Sequence, residues 1–300
     1  MQPFVFNTTA QILCAPGAAL ELAASCRRLG IGRPLLVTDP GLVAIGLVAP
    51  VIAALAEAGL APRVFDQVRE DPPEETVRGA AELGRSEQVD GVIAVGGGSS
   101  MDVAKVVAVL LGGEQELADL YGVDQAAGPR LPLVLVPTTA GTGSEVTPVA
   151  VITTGATTKA GISSAWLLPD VAVLDADLTL GLPPAATAMT GVDAMVHAIE
   201  AYTSRHRKNP VSDMLARQAL ALLARNIRTA VHDGQDRDAR ANMLLGACLA
   251  GQAFANAPVA AVHALAYPLG GHYHLPHGLT NSLVLPAVME FNAPAAGELY

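Results

Sequence analysis

The sequence predicts an α/β domain with a parallel sheet, followed by an all-helical domain. Up to about residue 180, short runs of Val, Ile and Leu alternate with longer Ala-rich amphipathic stretches, as in β-α-β units. After Pro183-Pro184 the pattern becomes nearly continuous helical periodicity. We therefore place the domain boundary at residue 182, with the α/β domain over 1–182 and the helical domain over 183–300.

The predicted elements follow one another along the chain. PLLVTDPG predicts a strand and turn, VAPVIAALAEAGL a helix, PRVFD a strand, ETVRGAAELGRS a helix, and GVIAVGGGSS and LPLVLV two buried strands. Helices follow in TAMTGVDAMVHAIEAYTS, PVSDMLARQALALLARNI and ARANMLLGACLAGQAFAN. We expect the final stretch, AVMEFNAPAAGELY, to begin a new helix; it has no closing turn, so we expect a helical domain that is truncated at its C-terminus.

The composition excludes several classes of protein. Of the 300 residues, 51% are hydrophobic, yet no apolar run reaches the roughly 18 residues of a membrane span. We expect a soluble cytoplasmic protein with no membrane partner. A net charge of −10 argues against nucleic acid as a partner. Cys14, Cys26 and Cys248 lack CxxC spacing, which argues against disulfides and a thiolate metal site.

A glycine-rich turn follows the strand that ends at Gly96. Gly97, Gly98 and Ser99 stand between this strand and a predicted helix. Glycine lets the backbone approach a phosphate closely, and a helix N-terminus offers free N–H groups. The turn predicts a pyrophosphate site, and hence a dinucleotide-binding domain, although an ordinary βα turn has a similar pattern.

Two further segments could serve the same nucleotide. Thr138, Thr139 and Thr142 form a polar loop after LPLVLV and could line its other side, although such residues are also common in plain turns. Asp39 ends an earlier strand, where its carboxylate could bind ribose hydroxyls and repel a 2′-phosphate. That would favour NAD over NADP. Asp39 could equally open the turn Asp39-Pro40-Gly41.

The helical half contains candidate metal ligands. Asp193 and His197 are four residues apart in a helical pattern, so one helix face presents both. The segment from His263 to Gly278 is rich in histidine, and we expect Pro268 and Pro276 to form turns that fix His263 and His277. One carboxylate with several imidazoles suits Fe²⁺, Zn²⁺ or another divalent cation.

Together these segments resemble the iron-containing (group III) alcohol dehydrogenase family. The matches extend over essentially the whole chain, from Val37–Gly41 through Gly96–Lys105, Pro137–Thr147 and Gly191–Ala194 to His263–Gly278. The resemblance implies a dehydroquinate synthase-like fold, with a dinucleotide-binding α/β domain and a helical metal- and substrate-binding domain. It also implies a homodimer or higher homo-oligomer.

The resemblance assigns roles to individual residues. It implies the metal ligands Asp193, His197, His263 and His277. It implies Phe254 as a residue of the substrate pocket, and it leaves Tyr267 at a position where many members carry a second histidine. Proton transfer through water or the cofactor ribose would compensate for that histidine. The implied cofactor contacts are Asp39, Gly97, Gly98, Ser99, Thr138, Thr139, Thr142, Lys159 and Leu178.

The predicted activity is hydride transfer between NAD, or NADP, and a small alcohol or aldehyde, with the metal as Lewis acid. A zinc-dependent glycerol dehydrogenase and a maleylacetate reductase are the alternatives within the superfamily, and the intact Asp-His-His-His set disfavours the second, which is metal-independent. A non-redox NAD-using enzyme or a silent NAD-binding protein are the alternatives from other classes.

Overall fold

The computed structural model describes residues 3–155, 158–273 and 275–300. The chain folds into two compact units. The first, called here the helical unit, combines the segment that ends at Thr8, Thr139–Gly143 and Thr179–Tyr300. The second, the α/β unit, combines Thr9–Thr138 and Ser144–Leu178.

The α/β unit contains five helices and nine strands within the described residues. The helices are α1 (Leu22–Leu29), α2 (Pro40–Ala44), α3 (Ala49–Glu57), α4 (Glu74–Ser86) and α5 (Gly98–Gly112). The strands are β1 (Gln11–Cys14), β2 (Pro34–Val37), β3 (Arg63–Phe65), β4 (Gly91–Gly96), β5 (Gly122–Val123), β6 (Leu133–Pro137), β7 (Val149–Thr154), β8 (Thr158–Ser163) and β9 (Val171–Leu174).

The main sheet is parallel, in the order β1-β9-β6-β4-β2-β3. Its central strands are wholly buried apolar runs, as expected of a parallel sheet covered on both faces. Alternate residues enter two separate apolar layers: Leu35 and Val37 pack on one face, and Leu36 on the other. The predicted strands β2, β3, β4 and β6 and the predicted helices α3, α4 and α5 are therefore confirmed in their order, whereas the short helix α2 stands where only a turn was predicted.

A second, three-stranded sheet was not predicted. Its order is β5-β8-β7, with β7 and β8 antiparallel and β5 parallel to β8. The sequence VAVITT of β7 alternates between half-buried and buried positions. A strand pattern is therefore present there, although TKAGIS in β8 carries little of the apolar signal that marks a buried strand.

The helical unit contains five helices among its described residues. They are α6 (Pro184–Thr203), α7 (Pro210–His232), α8 (Arg237–Asn256), α9 (Ala261–Tyr273) and α10 (His277–Ala296). The predicted helical half is confirmed, with one correction. The stretch AVMEFNAPAAGELY begins no new helix: most of it is the second half of α10, which starts at His277.

Side-chain capping explains where α7 and α8 begin. The Asn209 side chain accepts from the backbone N–H of Ser212, and Asp236 accepts from that of Ala239.

No single helix in the described ranges is long and apolar enough to cross a membrane. The helices α8 and α9 reach that length and hydropathy only as a pair, which is bent by 106°.

Candidate functional site

Three helices of the helical unit bring the predicted metal ligands together. Helix α6 carries Asp193 and His197, α9 carries His263, and α10 begins at His277. The first three side chains are buried, whereas the side chain of His277 is 31% exposed. The group is therefore open to solvent at His277.

The donor atoms converge on one carboxylate oxygen. Asp193 Oδ1 lies 3.8 Å from Nε2 of His263, 3.7 Å from Nε2 of His277 and 3.9 Å from Nε2 of His197. Two ligands on a tetrahedral Zn²⁺-sized ion lie roughly 3.4 Å apart, so this spacing is close to that of a coordination site. Asp193, His263 and His277 form a compact group that could hold a metal ion, and His197 adjoins it.

The side chain of Asn281 lies among these donors. Its Nδ2 is 2.6 Å from Asp193 Oδ1 and 3.3 Å from Nε2 of both His263 and His277. Its Oδ1 is buried without a hydrogen-bond partner among the described residues. A positively polarised N–H group thus lies where several lone pairs meet, which is the environment that a cation prefers. The donor set fits a divalent metal.

Burial and charge set the protonation states of the ligands. Burial alone would raise the pKa of Asp193, but the three histidines and Asn281 bring the pKa below its ordinary value. Burial lowers the pKa of His197 to about 4, against an attraction from Asp193. At neutral pH, Asp193 is a carboxylate and His197 a neutral imidazole, which are the forms that coordinate metals.

The start of α10 depends on a proline and a glycine. Pro276 immediately precedes the helix, and a Cβ on Gly278 would collide with the backbone carbonyl of Met189 in α6. Glycine therefore lets α10 approach α6 closely enough to present His277. The prediction for Pro268 is wrong, because Pro268 lies inside α9 and forms no turn.

Aromatic rings flank the histidines. Phe254 in α8 stacks on His197 with ring centroids 4.3 Å apart, and His197 stacks in turn on His263 at 4.6 Å. Tyr267 stacks on His277 at 5.4 Å. Phe254 thus borders the donor group.

Glu200 and Asn281 border the same donor group and were missed by sequence reasoning. Glu200 Oε2 is 2.6 Å from His263 Nδ1, and its Oε1 accepts from the backbone N–H of Val262 at 2.7 Å. Burial would raise the pKa of Glu200, but these contacts lower it. Helical spacing could have revealed both residues, since Glu200 follows His197 by three positions and Asn281 follows His277 by four.

In the α/β unit, the predicted cofactor residues gather at the carboxyl ends of three adjacent strands. Asp39 follows β2, Gly97 to Ser99 follow β4, and Thr138 follows β6. Gly97 is the N-cap of α5 and has no side chain to cap it, so the first N–H groups of the helix can donate hydrogen bonds to an anion. The backbone N–H of Thr138 donates to Gly96. This edge fits a dinucleotide phosphate.

The position of Asp39 is compatible with both roles considered for it, opening a turn and contacting the nucleotide. Its Oδ1 accepts from the backbone N–H of Leu42 at 2.9 Å and caps α2. A Cβ on Gly96 would lie 3.9 Å from the other oxygen, Oδ2, so that oxygen faces the glycine turn. Asp39 therefore opens the turn through Oδ1, and its Oδ2 lies on the side where we expect the nucleotide.

The other predicted cofactor residues do not directly follow the ends of these three strands. Thr139 and Thr142 belong to the segment Thr139–Gly143 of the helical unit, where a Cβ on Gly143 would lie 2.6 Å from Gly251 Cα. Leu178 packs against an apolar layer of the α/β unit. Lys159 in β8 pairs with Asp71 at 2.6 Å, so the structure gives this lysine a partner within its own unit.

A second buried polar cluster lies in the α/β unit. Lys105 in α5 is wholly buried and donates to Thr147 Oγ1 and to the carbonyl of Val149. Asp102 lies 3.9 Å from Lys105 and accepts from Ser144 and from the backbone N–H of Val151. Burial lowers the pKa of Lys105 to about 8 and raises that of the neighbouring Glu145 to about 7.

Comparison with known proteins identifies the family. The model described as iron-containing alcohol dehydrogenase matches residues 9–176, and that of the C-terminal domain of the Fe-containing alcohol dehydrogenase family matches residues 187–300. The chain belongs to the iron-containing alcohol dehydrogenase family. This confirms the resemblance, the fold and the class of reaction, alcohol and aldehyde oxidoreduction, that were expected from the sequence.

Individual relatives agree with this assignment. Long-chain-alcohol dehydrogenase 1 of Geobacillus thermodenitrificans is 46% identical over 92% of this chain and 70% of its own length. A crystal structure of 1,3-propanediol oxidoreductase has a TM-score of 0.95 at 41% identity, covering 98% of this chain and 77% of that one. Sulfoacetaldehyde reductase from Bifidobacterium kashiwanohense, solved in complex with NAD⁺, has a TM-score of 0.89 at 32% identity, covering 97% and 77%.

Proposed function

We propose that this chain is a metal-dependent, NAD-linked dehydrogenase that interconverts small alcohols with their aldehydes or ketones. The observation that carries the proposal is the convergence of Asp193 Oδ1 with Nε2 of His263 and His277. One carboxylate with imidazoles is a donor set for Fe²⁺ or Zn²⁺. The glycine turn and Asp39, at adjacent strand ends of the α/β unit, support NAD as the second cofactor.

In this proposal Asp193, His197, His263 and His277 hold the metal. When bound, the metal supplies Lewis-acid polarisation of the substrate oxygen, and the nicotinamide supplies the two-electron carrier. The residues proposed to contact the dinucleotide are Asp39, Gly97, Gly98, Ser99, Thr138, Thr139, Thr142, Lys159 and Leu178.

The protein's own residues prepare this chemistry. Asp193 and His197 keep their lone pairs at neutral pH, because the pKa of each lies below its ordinary value. Phe254 covers one face of His197. The partly exposed side at His277 leaves room for a substrate oxygen. These features support a site whose ligands are fixed and whose open side is used by the substrate.

The physiological substrate, the location and the assembly are narrower proposals. The relatives are named for long-chain alcohols, 1,3-propanediol and sulfoacetaldehyde, so membership of the family does not by itself select one substrate. We propose small aldehydes as the class to screen first. We also propose a cytoplasmic homodimer or higher homo-oligomer, and sedimentation of the purified chain tests the oligomeric state.

The experiment that tests the function follows NADH consumption across a panel of small aldehydes, with metal content measured on anaerobically purified protein. Chelation, His263→Ala and His277→Ala should abolish turnover while NAD binding persists, and Fe²⁺ or Zn²⁺ should restore the chelated wild type. His272→Ala is the matched control, because His272 is an exposed histidine in α9. Full activity in metal-free protein would refute the proposed mechanism.

Cofactor choice has its own test. A 2′-phosphate would meet the free carboxylate oxygen of Asp39, so Asp39→Gly should reduce the preference for NADH over NADPH. The ratio of kcat/KM for the two cofactors measures this preference. If the wild type uses both cofactors equally well, the role proposed for Asp39 is wrong.

A further inference from the structure

We infer that Glu200 is a positioning residue, which fixes the tautomer and orientation of His263 so that the Nε2 lone pair is available to the metal. This inference rests on the proposed metal site. Glu200 lies in α6, seven residues beyond Asp193, so one helix carries a metal ligand and the group that orients another. The Glu200 carboxylate is 2.6 Å from Nδ1 of His263, whose Nε2 is 3.8 Å from Asp193 Oδ1.

The hydrogen-bond chemistry decides which ring nitrogen carries the proton. An ionised carboxylate only accepts hydrogen bonds, so Nδ1 of His263 must donate to it. A neutral imidazole that is protonated on Nδ1 has its lone pair on Nε2, which is the atom that faces Asp193. A carboxylate behind a ligating histidine also makes that histidine a stronger donor to the metal.

The second oxygen of Glu200 explains why a carboxylate is needed. Oε1 accepts from the backbone N–H of Val262, at the first turn of α9. Glu200 therefore holds the start of α9 and the ring of the next residue, His263, with two acceptors. Glutamine has only one acceptor. In Glu200→Gln, either Val262 loses its acceptor, or the amide N–H₂ faces Nδ1 and favours the tautomer with the proton on Nε2.

The test compares zinc affinity in three forms of the full chain loaded with Zn²⁺: the wild type, Glu200→Gln and Asp236→Ala. Zinc is titrated away with a chromogenic chelator, and thermal unfolding is followed in parallel. Asp236 caps α8 in the same unit without touching the histidines, so Asp236→Ala controls for the loss of a helix cap. A lost cap should lower the melting temperature and leave zinc affinity unchanged.

We expect Glu200→Gln to bind Zn²⁺ about 10- to 100-fold more weakly than the wild type. If the wild type binds Zn²⁺ and Glu200→Gln binds it with equal affinity, the inference is wrong, although the proposed metal site is still supported. An equal loss in Asp236→Ala would also overturn it, since helix capping would then explain the effect. A wild type that binds no zinc with measurable affinity would overturn both the inference and the proposed metal site.

Discussion

The two buried polar clusters obtain their positive charge from different sources. In the α/β unit, the buried carboxyl group of Glu145 and the partly buried carboxylate of Asp102 lie near the ammonium group of Lys105. In the helical unit, Asp193 is buried among three histidines, and the amide of Asn281 is the donor between them. The first cluster contains its own cation, whereas the second has the lone pairs to recruit one. Burial of ionisable groups alone therefore does not distinguish a structural cluster from a binding site.

The largest expected effect comes from removing the internal cation. Lys105→Met would leave the buried Glu145 and the partly buried Asp102 without their positive partner, so we expect the free energy of unfolding to fall by about 3–5 kcal/mol. Urea unfolding at pH 7 measures it. Lys208→Met, which breaks the surface pair with Asp213, is the control and should cost about 0–1 kcal/mol. Equal costs would mean that Lys105 is not essential to its cluster.

The same cluster predicts how stability depends on pH. The pKa of Glu145 is about 7 in the folded state and 4.5 ordinarily, so the folded state holds the proton longer, and stability falls as pH rises from 4.5 to 7. Over this pH range the free energy of unfolding should decrease by at most about 3 kcal/mol through Glu145. The pKa of Lys105 is about 8 against 10.5, so stability rises again between pH 8 and 10.5.

The contribution of Glu145 and Lys105 to the free energy of unfolding should therefore be lowest between pH 7 and 8. Unfolding measured from pH 4.5 to 10.5 checks this. Glu145→Gln should flatten the decline between pH 5 and 7, because glutamine does not titrate. A decline of the same size in the variant would assign the pH dependence to other groups.

The helical unit should respond to an added cation. Free Zn²⁺ at 100 times its Kd should stabilise the folded chain by about 2.7 kcal/mol, since the unfolded chain lacks a formed site. Thermal unfolding with and without Zn²⁺ measures the shift. Asp193→Asn should abolish it, because the shared carboxylate oxygen is replaced. Zinc stabilisation that persists in Asp193→Asn would place the ion elsewhere.

The smallest effect is expected at the edge of the donor group. Tyr267→Phe keeps the ring that stacks on His277 and removes only the hydroxyl. We expect kcat to fall by far less than the roughly 100-fold contribution of a general acid or base. Steady-state kinetics at matched metal content decides this. Inactivation with metal and NAD binding intact would make Tyr267 the proton relay.

Much of the fold could be predicted because buried parallel strands are continuous apolar runs, as in β4 and β6. The small sheet could not, since TKAGIS in β8 is largely half-exposed and polar. A proline usually ends a helix, which is why Pro268 was predicted to form a turn, yet α9 continues through it.

The site was only partly predictable for a different reason. Asp193 and His197 follow from spacing within one helix, whereas His263 and His277 were assigned by resemblance, because spacing does not show which helices pack together. Glu200 and Asn281 were missed because a polar residue in a helix usually faces solvent, and only tertiary packing buries these two.

The proposed metal ligands come from three helices, α6, α9 and α10, so a bound cation would cross-link these helices reversibly. Asp193 in α6 and His263 in α9 are separated in sequence by the whole of α7 and α8, so an ion between them closes a long loop of chain. His277 adds the start of α10 to the same junction. Amide exchange should therefore slow in α9 and the first turn of α10 when the ion binds, and these segments should loosen first when it leaves.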